Sequence, residues 1–434
     1  MMSLMVRSLK QLGFFLRAVT AVVINGFPAR RFLVVGVTGT DGKTTTSHLI
    51  FEILKRNGWQ VGLVSTLGAF VGDEEVGTGL HVTTPDPFLL QVLLRGMVNS
   101  GVAYVVLEAT SHGLDQLRVW GCNFKVGVLT NVTHEHLDYH GSFENYVEAK
   151  SKLFRGVKVA VLNKGDQASG LIRGKLRRGV RVVSYGLGTR ASLRVDRVKL
   201  GSDGMMFWVR EGEKRYRLKT VLVGNYNVAN ILAAVGAVRA LGVGWKVIRR
   251  TLEEFKGVKG RMEVIDEGQP FSVIVDFAHT PNALKLALGT LRRLKGKEGR
   301  LICVFGCAGE RDVLKRPMMA GVATQLADLS IFTAEDPRHE SVDKIIQMMA
   351  SGVSERWVRE RTKGQLLKGW GDWGRVFTKV PDRREAIELA VKIAKEGDIV
   401  ALLGKGHEKS LAFGDEERPW SDEGEVRRIL GRTR

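Results

Sequence analysis

The sequence is short of cysteine. Its 434 residues hold only Cys122, Cys303 and Cys307, an odd number at spacings that fit neither a disulfide framework nor a zinc site, so a reduced, cytoplasmic protein is expected. Cys303 and Cys307 close an apolar run, "LICVFGC", where a small thiol packs as a core residue. Also missing is a hydrophobic run long enough to cross a bilayer. The N-terminal stretch "MMSLMVRSLKQLGFFLRAVTAVVINGFPARRF" is broken by Arg7, Lys10, Arg17, Arg30 and Arg31, which excludes a spanning helix. It has no clear small-residue cleavage site, which argues against a secretory signal. Aromatic residues make up only 7% and are not interleaved with the basic ones, so no nucleic-acid partner is expected despite a formal charge of +20. That charge suits nucleotides or an anionic lipid surface, most of it being solvated surface.

What is present points to an α/β protein of two or three domains with ordinary globular composition. Read as a helix, the N-terminal stretch puts Met5, Leu9, Leu12, Leu16, Val19 and Val23 on one stripe, with Arg7, Lys10 and Arg17 off it. Such a helix in residues 1–25 suits a membrane surface, and equally suits packing on the protein's own core or on a partner chain. Further on, "VAYVVLEA", "FKVGVLTN", "VKVAVLN", "FSVIVDF", "LICVFGC", "LADLSIFTA" and "DIVALLG" read as buried parallel strands separated by helical patterns. Between the two series, "ASLRVDRVKLGSDGMMFWVREGEKRYRLKTV" alternates apolar and polar residues around an S-D-G turn, a small antiparallel insertion. The expected organisation is an N-terminal helix segment in residues 1–32, a central phosphate-loop domain in 33–260 and a Rossmann-like α/β domain in 261–434. The hinge is placed near Arg261, after "FKGVKG".

The stretch "GVTGTDGKTTT", residues 36–46, lies between a strand-like "RRFLVVGV" and a helix-like "TTTSHLIFEILKRNG". The general phosphate-loop pattern asks for glycine where Val37 stands, Gly36 coming one residue early. The physical task is still met. Gly39 and Gly42 let the backbone curl around an anion, and the helix start adds its positive dipole end. Lys43 suits the β- and γ-phosphates and the Thr44 hydroxyl suits Mg²⁺; a purely structural strand-to-helix turn is the alternative. "VVLEATSHGLDQLR" puts Glu108 at the end of a buried strand, where a carboxylate is costly unless it meets a cation. "VLTNVTHEHLDYH" follows another strand and carries His134, His136 and His140. Zinc is rejected there, because a closed site wants a fourth ligand. His134 and His140 are read as isolated surface residues.

Ten motifs in order then resemble the ATP-dependent Mur ligases, most closely the type that adds the third residue of the peptidoglycan stem peptide (the MurE type). They are "GVTGTDGKTTT", "TTPDP", "EATSHGLDQLRV", "TNVTHEHLDYHGSFENYVEAKSKLF", "GNYNVANILAA", "KGRMEVID", "VDFAHTPNAL", "GCAGERDVLKRP", "EDPRHE" and "GKGHE". The resemblance implies ATP and two Mg²⁺ ions, with Gly39, Thr40, Asp41, Gly42, Lys43, Thr44 and Thr45 around the phosphates. It implies Thr44 and Glu108 on one metal and His136 helping with the second. Lys150 matches a lysine that becomes carbamylated, and without the motif it reads as an exposed helix lysine. Asn227 and Asn230 match positions near the adenine, and Arg261 and Asp276 match residues that close on the nucleotide. Thr83, Thr84, Ser111, Gln116 and Arg118 match contacts to the acceptor peptide, although Gln116 and Arg118 also fit a plain helix surface. Glu335, Asp336, Arg338, Gly404 and Glu408 match the site of the incoming amino acid. The implied reaction activates a peptide carboxylate as an acyl phosphate, which an amine then displaces, with closure about Arg261. A monomer is implied.

Two departures stand out. Diaminopimelate-adding members carry D-N-P-R, whereas this chain reads Glu335-Asp336-Pro337-Arg338. Diaminopimelate remains the expected amine, with lysine the second. Members of this type also carry a UDP-binding domain ahead of the loop, where this chain has 35 residues, so a UDP-free or lipid-linked muropeptide is an alternative acceptor. A folylpolyglutamate-synthase type lacks "SHGLDQ" and "DPR" with "GKGHE". A catalytically silent, membrane-associated scaffold is the rival of another class, and intact Lys43, Glu108, His136 and Lys150 argue against it.

Overall fold

The computed structural model describes residues 2–76, 83–133, 135–188, 190–201, 204–354, 356–369 and 374–432. His134 lies outside them. The chain forms two compact units, residues 1–256 and 257–434.

The first unit opens with α1 (Met2–Ile24) and β1 (Leu33–Thr38), followed by α2 (Lys43–Arg56). Next come β2 (Val61–Ser65), β3 (Gly68–Val71), β4 (Glu74–Val76), α3 (Pro87–Asn99), β5 (Tyr104–Glu108), α4 (Ser111–Asp115) and β6 (Phe124–Leu129). Then follow α5 (Leu137–His140), α6 (Phe143–Ser151), β7 (Val159–Asn163), α7 (Ala168–Gly174) and β8 (Arg181–Leu187). The unit ends with β9 (Leu193–Gly201), β10 (Gly204–Glu211), β11 (Lys214–Thr220), α8 (Asn225–Ala240) and α9 (Trp245–Glu254). The strands make one sheet in the order β11-β10-β9-β8-β7-β6-β1-β5-β2-β3-β4. The stretch from β2 to β9 is parallel and the two ends are antiparallel hairpins.

Near-continuous Val and Leu in β1, β5 and β6 make them buried on both faces, as central parallel strands are. β1 lies between β5 and β6, so its carboxyl end, where the glycine turn begins, is flanked by Glu108 on one side and Thr130 on the other. That is the crevice position at which open α/β sheets bind ligands. α8 is apolar nearly all round and accordingly buried; it packs on α2, β7 and β8.

The N-terminal helix turns a different face inward from the stripe expected to carry its apolar character. Ala18, Ala21 and Val22 are buried, and α1 packs on α3, while Leu9, Leu12, Leu16 and Val23 stay exposed. No described helix is long and apolar enough to cross a membrane.

The second unit carries β12 (Glu263–Ile265), β13 (Ser272–Asp276), α10 (Pro281–Leu294), β14 (Leu301–Phe305), α11 (Lys315–Leu326), β15 (Leu329–Phe332) and α12 (Val342–Ala350). Then come β16 (Val358–Glu360), α13 (Lys363–Lys368), β17 (Arg375–Lys379), α14 (Arg383–Ile393), β18 (Ile399–Leu403), the hairpin β19 (Ser410–Phe413) with β20 (Glu416–Pro419), and α15 (Asp422–Arg432). Its sheet runs β12-β13-β18-β14-β15-β17-β16, parallel except for β12. Helices cover both faces, giving two separate cores. Cys303 and Cys307 belong to one of them, buried and free as expected.

Candidate active site

Glycine is required at the phosphate loop. Gly39 has φ 154° and Gly42 φ 78°, and an ideal Cβ at these positions would lie 1.8 Å from Thr130 Oγ1 and 2.1 Å from Asn230 Oδ1. The loop is held from its flanks. Thr130 Oγ1 donates to the Asp41 carbonyl at 2.7 Å, and the Asp41 amide donates to Asn131 Oδ1 at 2.9 Å. Thr40 Oγ1 meets the Tyr146 hydroxyl at 3.0 Å. Gly42 caps α2 without a side-chain hydrogen bond from the cap, and the helix start sets its positive dipole end at the loop. Lys43 Nζ donates to the Thr40 carbonyl at 2.8 Å, which bends the side chain back over the loop. Thr44 and Thr45 are buried in the first turn. Asn227 and Asn230 are buried on α8 and joined by a hydrogen bond from Asn230 Nδ2 to Asn227 Oδ1 at 3.1 Å.

Glu108 is the buried carboxylate of this site, and its hydrogen-bond donors are neutral. Thr44 Oγ1 donates at 3.0 Å, the Thr66 amide at 3.2 Å and Thr66 Oγ1 at 3.2 Å. Among the described residues no Lys or Arg forms an ion pair with it. A buried anion held only by hydroxyls and an amide is short of a cation. Thr44 and Glu108 therefore fit Mg²⁺, which takes one or two protein oxygens and fills its shell with water and phosphate. Among the described residues no three His, Cys, Asp or Glu side chains are grouped to hold a metal by themselves.

Lys150 is the mirror case. It is 1% exposed, contrary to the plain reading of a solvated helix lysine. Its Nζ donates to the Gly39 carbonyl at 2.8 Å and sits 4.3 Å from the centre of the Tyr146 ring. Burial, and after it the Lys43 ammonium, hold it well below the usual lysine range, which favours the free amine that carbamylation needs.

The histidines cluster in a way the sequence spacing did not reveal. His140, expected as an isolated surface residue, is buried. It packs in a ring cluster with His112 at 5.5 Å, Tyr139 at 4.8 Å and Tyr146 at 5.1 Å between centres. The short helices α4, α5 and α6 fold these side chains together. His136 has φ 55°, a strained value for a non-glycine residue. Its ring stands edge-on to His112 at 4.8 Å with Nε2 3.8 Å from Glu135.

The acceptor residues come together around one loop. Thr84 Oγ1 donates to the Glu108 carbonyl at 3.2 Å and accepts from the Thr110 amide at 2.9 Å; Thr83 Oγ1 accepts from Thr66 Oγ1 at 2.9 Å. Arg118 is no free helix surface: Nη1 donates to the Thr84 carbonyl at 2.9 Å, and Nε and Nη2 both reach Gln116 Oε1. Ser111 is buried at the start of α4.

In the second unit, Asp276 ends β13 and accepts from the Met262 amide at 2.7 Å and the Ala278 amide at 2.9 Å. The Arg261 guanidinium lies 4.4 Å from the centre of the Phe277 ring. The segment after β15 brings Glu335, Asp336 and Arg338 to β18's end, where Gly404 and Glu408 lie. Asp336 Oδ1 accepts from Lys405 Nζ at 2.8 Å and from the Ala412 amide at 2.9 Å. Lys405, fully buried, also pairs with Glu408 at 2.5 Å. Burial alone would lower this lysine, but Glu408 and Asp336 outweigh it and hold it above its usual range. Arg338 has φ 51° and donates from Nη1 to the Gly309 carbonyl at 2.7 Å.

Glu335 is buried with Oε2 lacking a hydrogen-bond partner. Gly404 has φ 104°, a value that favours glycine, and an ideal Cβ there would lie 2.3 Å from that oxygen. Burial pushes the Glu335 carboxyl up to about 7, against the pull of Lys315, Arg383 and Lys405. Beneath the site Arg383 is bound by Asp422 at 2.8 and 2.6 Å and donates to the carbonyls of Ala334 and Leu403. It thereby ties the ends of β15 and β18 together. Sequence reasoning missed Lys405, although it stands inside "GKGHE", and missed Arg383, whose surroundings carry no motif.

A profile of the Mur ligase middle domain matches residues 37–238, and one of the Mur ligase glutamate ligase domain matches residues 260–406. The chain is 37% identical over 426 residues to the UDP-N-acetylmuramoyl-L-alanyl-D-glutamate–2,6-diaminopimelate ligase of Geobacillus thermodenitrificans, covering 96% of this chain and 82% of that protein. It is 37% identical over 419 residues to the ligase of the same name from Listeria monocytogenes, covering 94% and 80%. A solved diaminopimelate ligase of that name superposes with a TM-score of 0.63 at 31% identity, over 93% of this chain and 79% of the other. The Mycobacterium tuberculosis folylpolyglutamate synthase, solved with ADP and AMPPCP, superposes with a TM-score of 0.74 at 15% identity over 96% and 95%, a likeness of fold. With both family domains in order and this kinship along nearly its whole length, the chain belongs to the Mur ligase family and is an ATP-dependent acid–amino-acid ligase.

Proposed function

We propose that the protein adds meso-diaminopimelate to a muramyl-L-alanyl-D-glutamate acceptor in peptidoglycan precursor synthesis. The observation that carries this is the grouping of Lys43, Thr44, Glu108 and Lys150 around one phosphate loop, in a chain whose relatives bear the diaminopimelate-ligase name. Lys43 and the first-turn amides of α2 bind the ATP phosphates; Asn227 and Asn230 lie on the adenine side. Thr84 and Arg118 orient the acceptor so that its carboxylate attacks the γ-phosphorus, releasing ADP and giving an acyl phosphate. The amine then displaces phosphate. Thr44 and Glu108 would hold one Mg²⁺, and Lys150, once carbamylated, would hold a second with His136; the ions would offset the charge of phosphates and carboxylate brought together. Arg338 binds the distal carboxylate of the diamino acid bidentately, and Glu408 binds an ammonium. Arg261 and Asp276 contact the nucleotide. The protein works as a monomer, peripheral to the inner face of the membrane, with α1 as the contact.

The test is phosphate release from Mg·ATP across a matrix of acceptors and amines, with products weighed by mass spectrometry. Diaminopimelate with the UDP-linked dipeptide is expected to give the largest turnover. Turnover with lysine alone would replace the amine. Turnover confined to a UDP-free or lipid-linked dipeptide would replace the acceptor, and none with any pair would leave the silent scaffold.

A further inference from the structure

We propose that the outward face of α1 is a docking surface for an anionic lipid bilayer. This deepens the membrane placement given above and rests on the ligase reading only for its purpose, not for the contact. The helix is fixed on the protein by its other side. Ala18, Ala21 and Val22 are buried, Phe15 stands edge-on to Trp120 at 5.7 Å, and Arg17 pairs with Asp86 at 2.8 Å. Its rotation is therefore set, and the face left outward is apolar: Leu9, Leu12, Leu16, Val23 and Ile24 are 60%, 53%, 56%, 55% and 65% exposed. From Leu9 to Val23 this row runs about 21 Å along the helix. A row of that length is larger than the scattered single leucines of an ordinary surface.

The charge around the row selects the occupant. Residues 1–40 contain no Asp or Glu, while Arg7, Lys10, Arg17, Arg30 and Arg31 all fall within them. An apolar row with Lys10 on the same helix, Arg17 already paired with Asp86 and Arg30 and Arg31 beyond its end matches the boundary of an anionic bilayer, where acyl chains take the leucines and phosphates take Lys10 and the unpaired surface charge. A second copy of this chain matches less well, because pairing two such faces sets Lys10 against its own kind, and the one carboxylate named beside the helix, Asp86, is already paired with Arg17. Arg17 also links the helix to the acceptor loop: its partner Asp86 caps α3 and lies two residues after Thr84. A lipid-docked α1 therefore holds the acceptor site close to the bilayer.

The experiment is sedimentation of the full chain with vesicles of phosphatidylcholine alone and of phosphatidylcholine with phosphatidylglycerol, at two salt concentrations. Leu12→Glu/Leu16→Glu and Lys10→Ser are compared with the parent, and melting temperature and ligase turnover on a soluble acceptor are read alongside. The parent is expected to bind the phosphatidylglycerol vesicles, less so at high salt. The double variant should lose at least about tenfold in affinity and Lys10→Ser a smaller part, with melting and soluble turnover unchanged. No binding by the parent, or equal binding by the double variant, overturns the proposal. So does a concentration-dependent dimer that the double variant abolishes in the absence of vesicle binding. Loss of the ligase reading shows instead as no turnover on any acceptor with vesicle binding intact.

Discussion

In the first unit two deeply buried charged side chains of the loop site lack an ion pair among the described residues: Glu108 takes hydrogen bonds from Thr44 and Thr66, and Lys150 donates to a carbonyl beside an aromatic ring. In the second unit buried cations come already matched. Lys405 is shared by Asp336 and Glu408, Arg383 is clasped by Asp422 and Arg316 by Glu340. Burying a charge is costly unless it is paired. The first unit therefore leaves its charges to be completed by a ligand, and the second completes them within the fold to hold a rigid frame. The same kind of residue, a buried lysine at a binding site, serves opposite ends. Lys150 is pushed toward the neutral amine and Lys405 is kept an ammonium.

Substitutions separate the two cases, beginning with the largest effect. Glu108→Gln should cost on the order of a thousandfold in kcat, the size seen when a transition-state charge partner is removed. The apo protein should melt no lower than the parent, since a neutral isostere relieves an uncompensated charge; turnover and calorimetry check both halves. Lys405→Met should do the reverse. It strands two carboxylates in a closed site and should cost about 3 kcal/mol of stability, read by urea denaturation of the second unit's transition. Lys150→Ala should lower kcat by about ten- to a hundredfold with partial recovery on adding formate, a small carboxylate that replaces the carbamate. A low activity that formate leaves unchanged would remove the carbamate role.

Glu335 is the second unit's exception, a buried carboxyl raised to about 7 from 4.5. The sign follows from linkage: the unfolded state releases this proton at lower pH than the folded state. The stabilisation is thus full below about 4.5 and is lost as pH rises through about 7. Glu335→Gln should flatten that part of the stability–pH curve, measured by thermal melts from pH 5 to pH 8. A slope unchanged in the variant would assign the titration to another group.

The sheets, their parallel sense and the antiparallel insertion were legible because runs such as "VVGV", "VVLE" and "IVALL" have the burial of central strands and the turns between them carry glycine. The phosphate loop was legible for the same local reason. The inward side of α1 was not. Leucines dominate its periodic stripe, but the neighbour it meets admits small residues, so Ala18 and Ala21 form the seam. His140 and Lys150 looked like surface residues because nothing in their own helices says that α4, α5 and α6 fold over the loop. Lys405 and Arg383 were invisible for a related reason. Their partners Asp336 and Asp422 are distant in sequence, and a long-range ion pair leaves no periodic trace.

The most direct measurement of the contrast is the thermal shift produced by Mg·ATP in the parent, Glu108→Gln and Lys405→Met. Completion of the first unit by its ligand predicts a large shift in the parent and in Lys405→Met, from a lower starting point in the latter, and a much reduced shift in Glu108→Gln from an apo melting temperature at or above the parent's. An apo Glu108→Gln protein that melts well below the parent yet gains the full shift would contradict it.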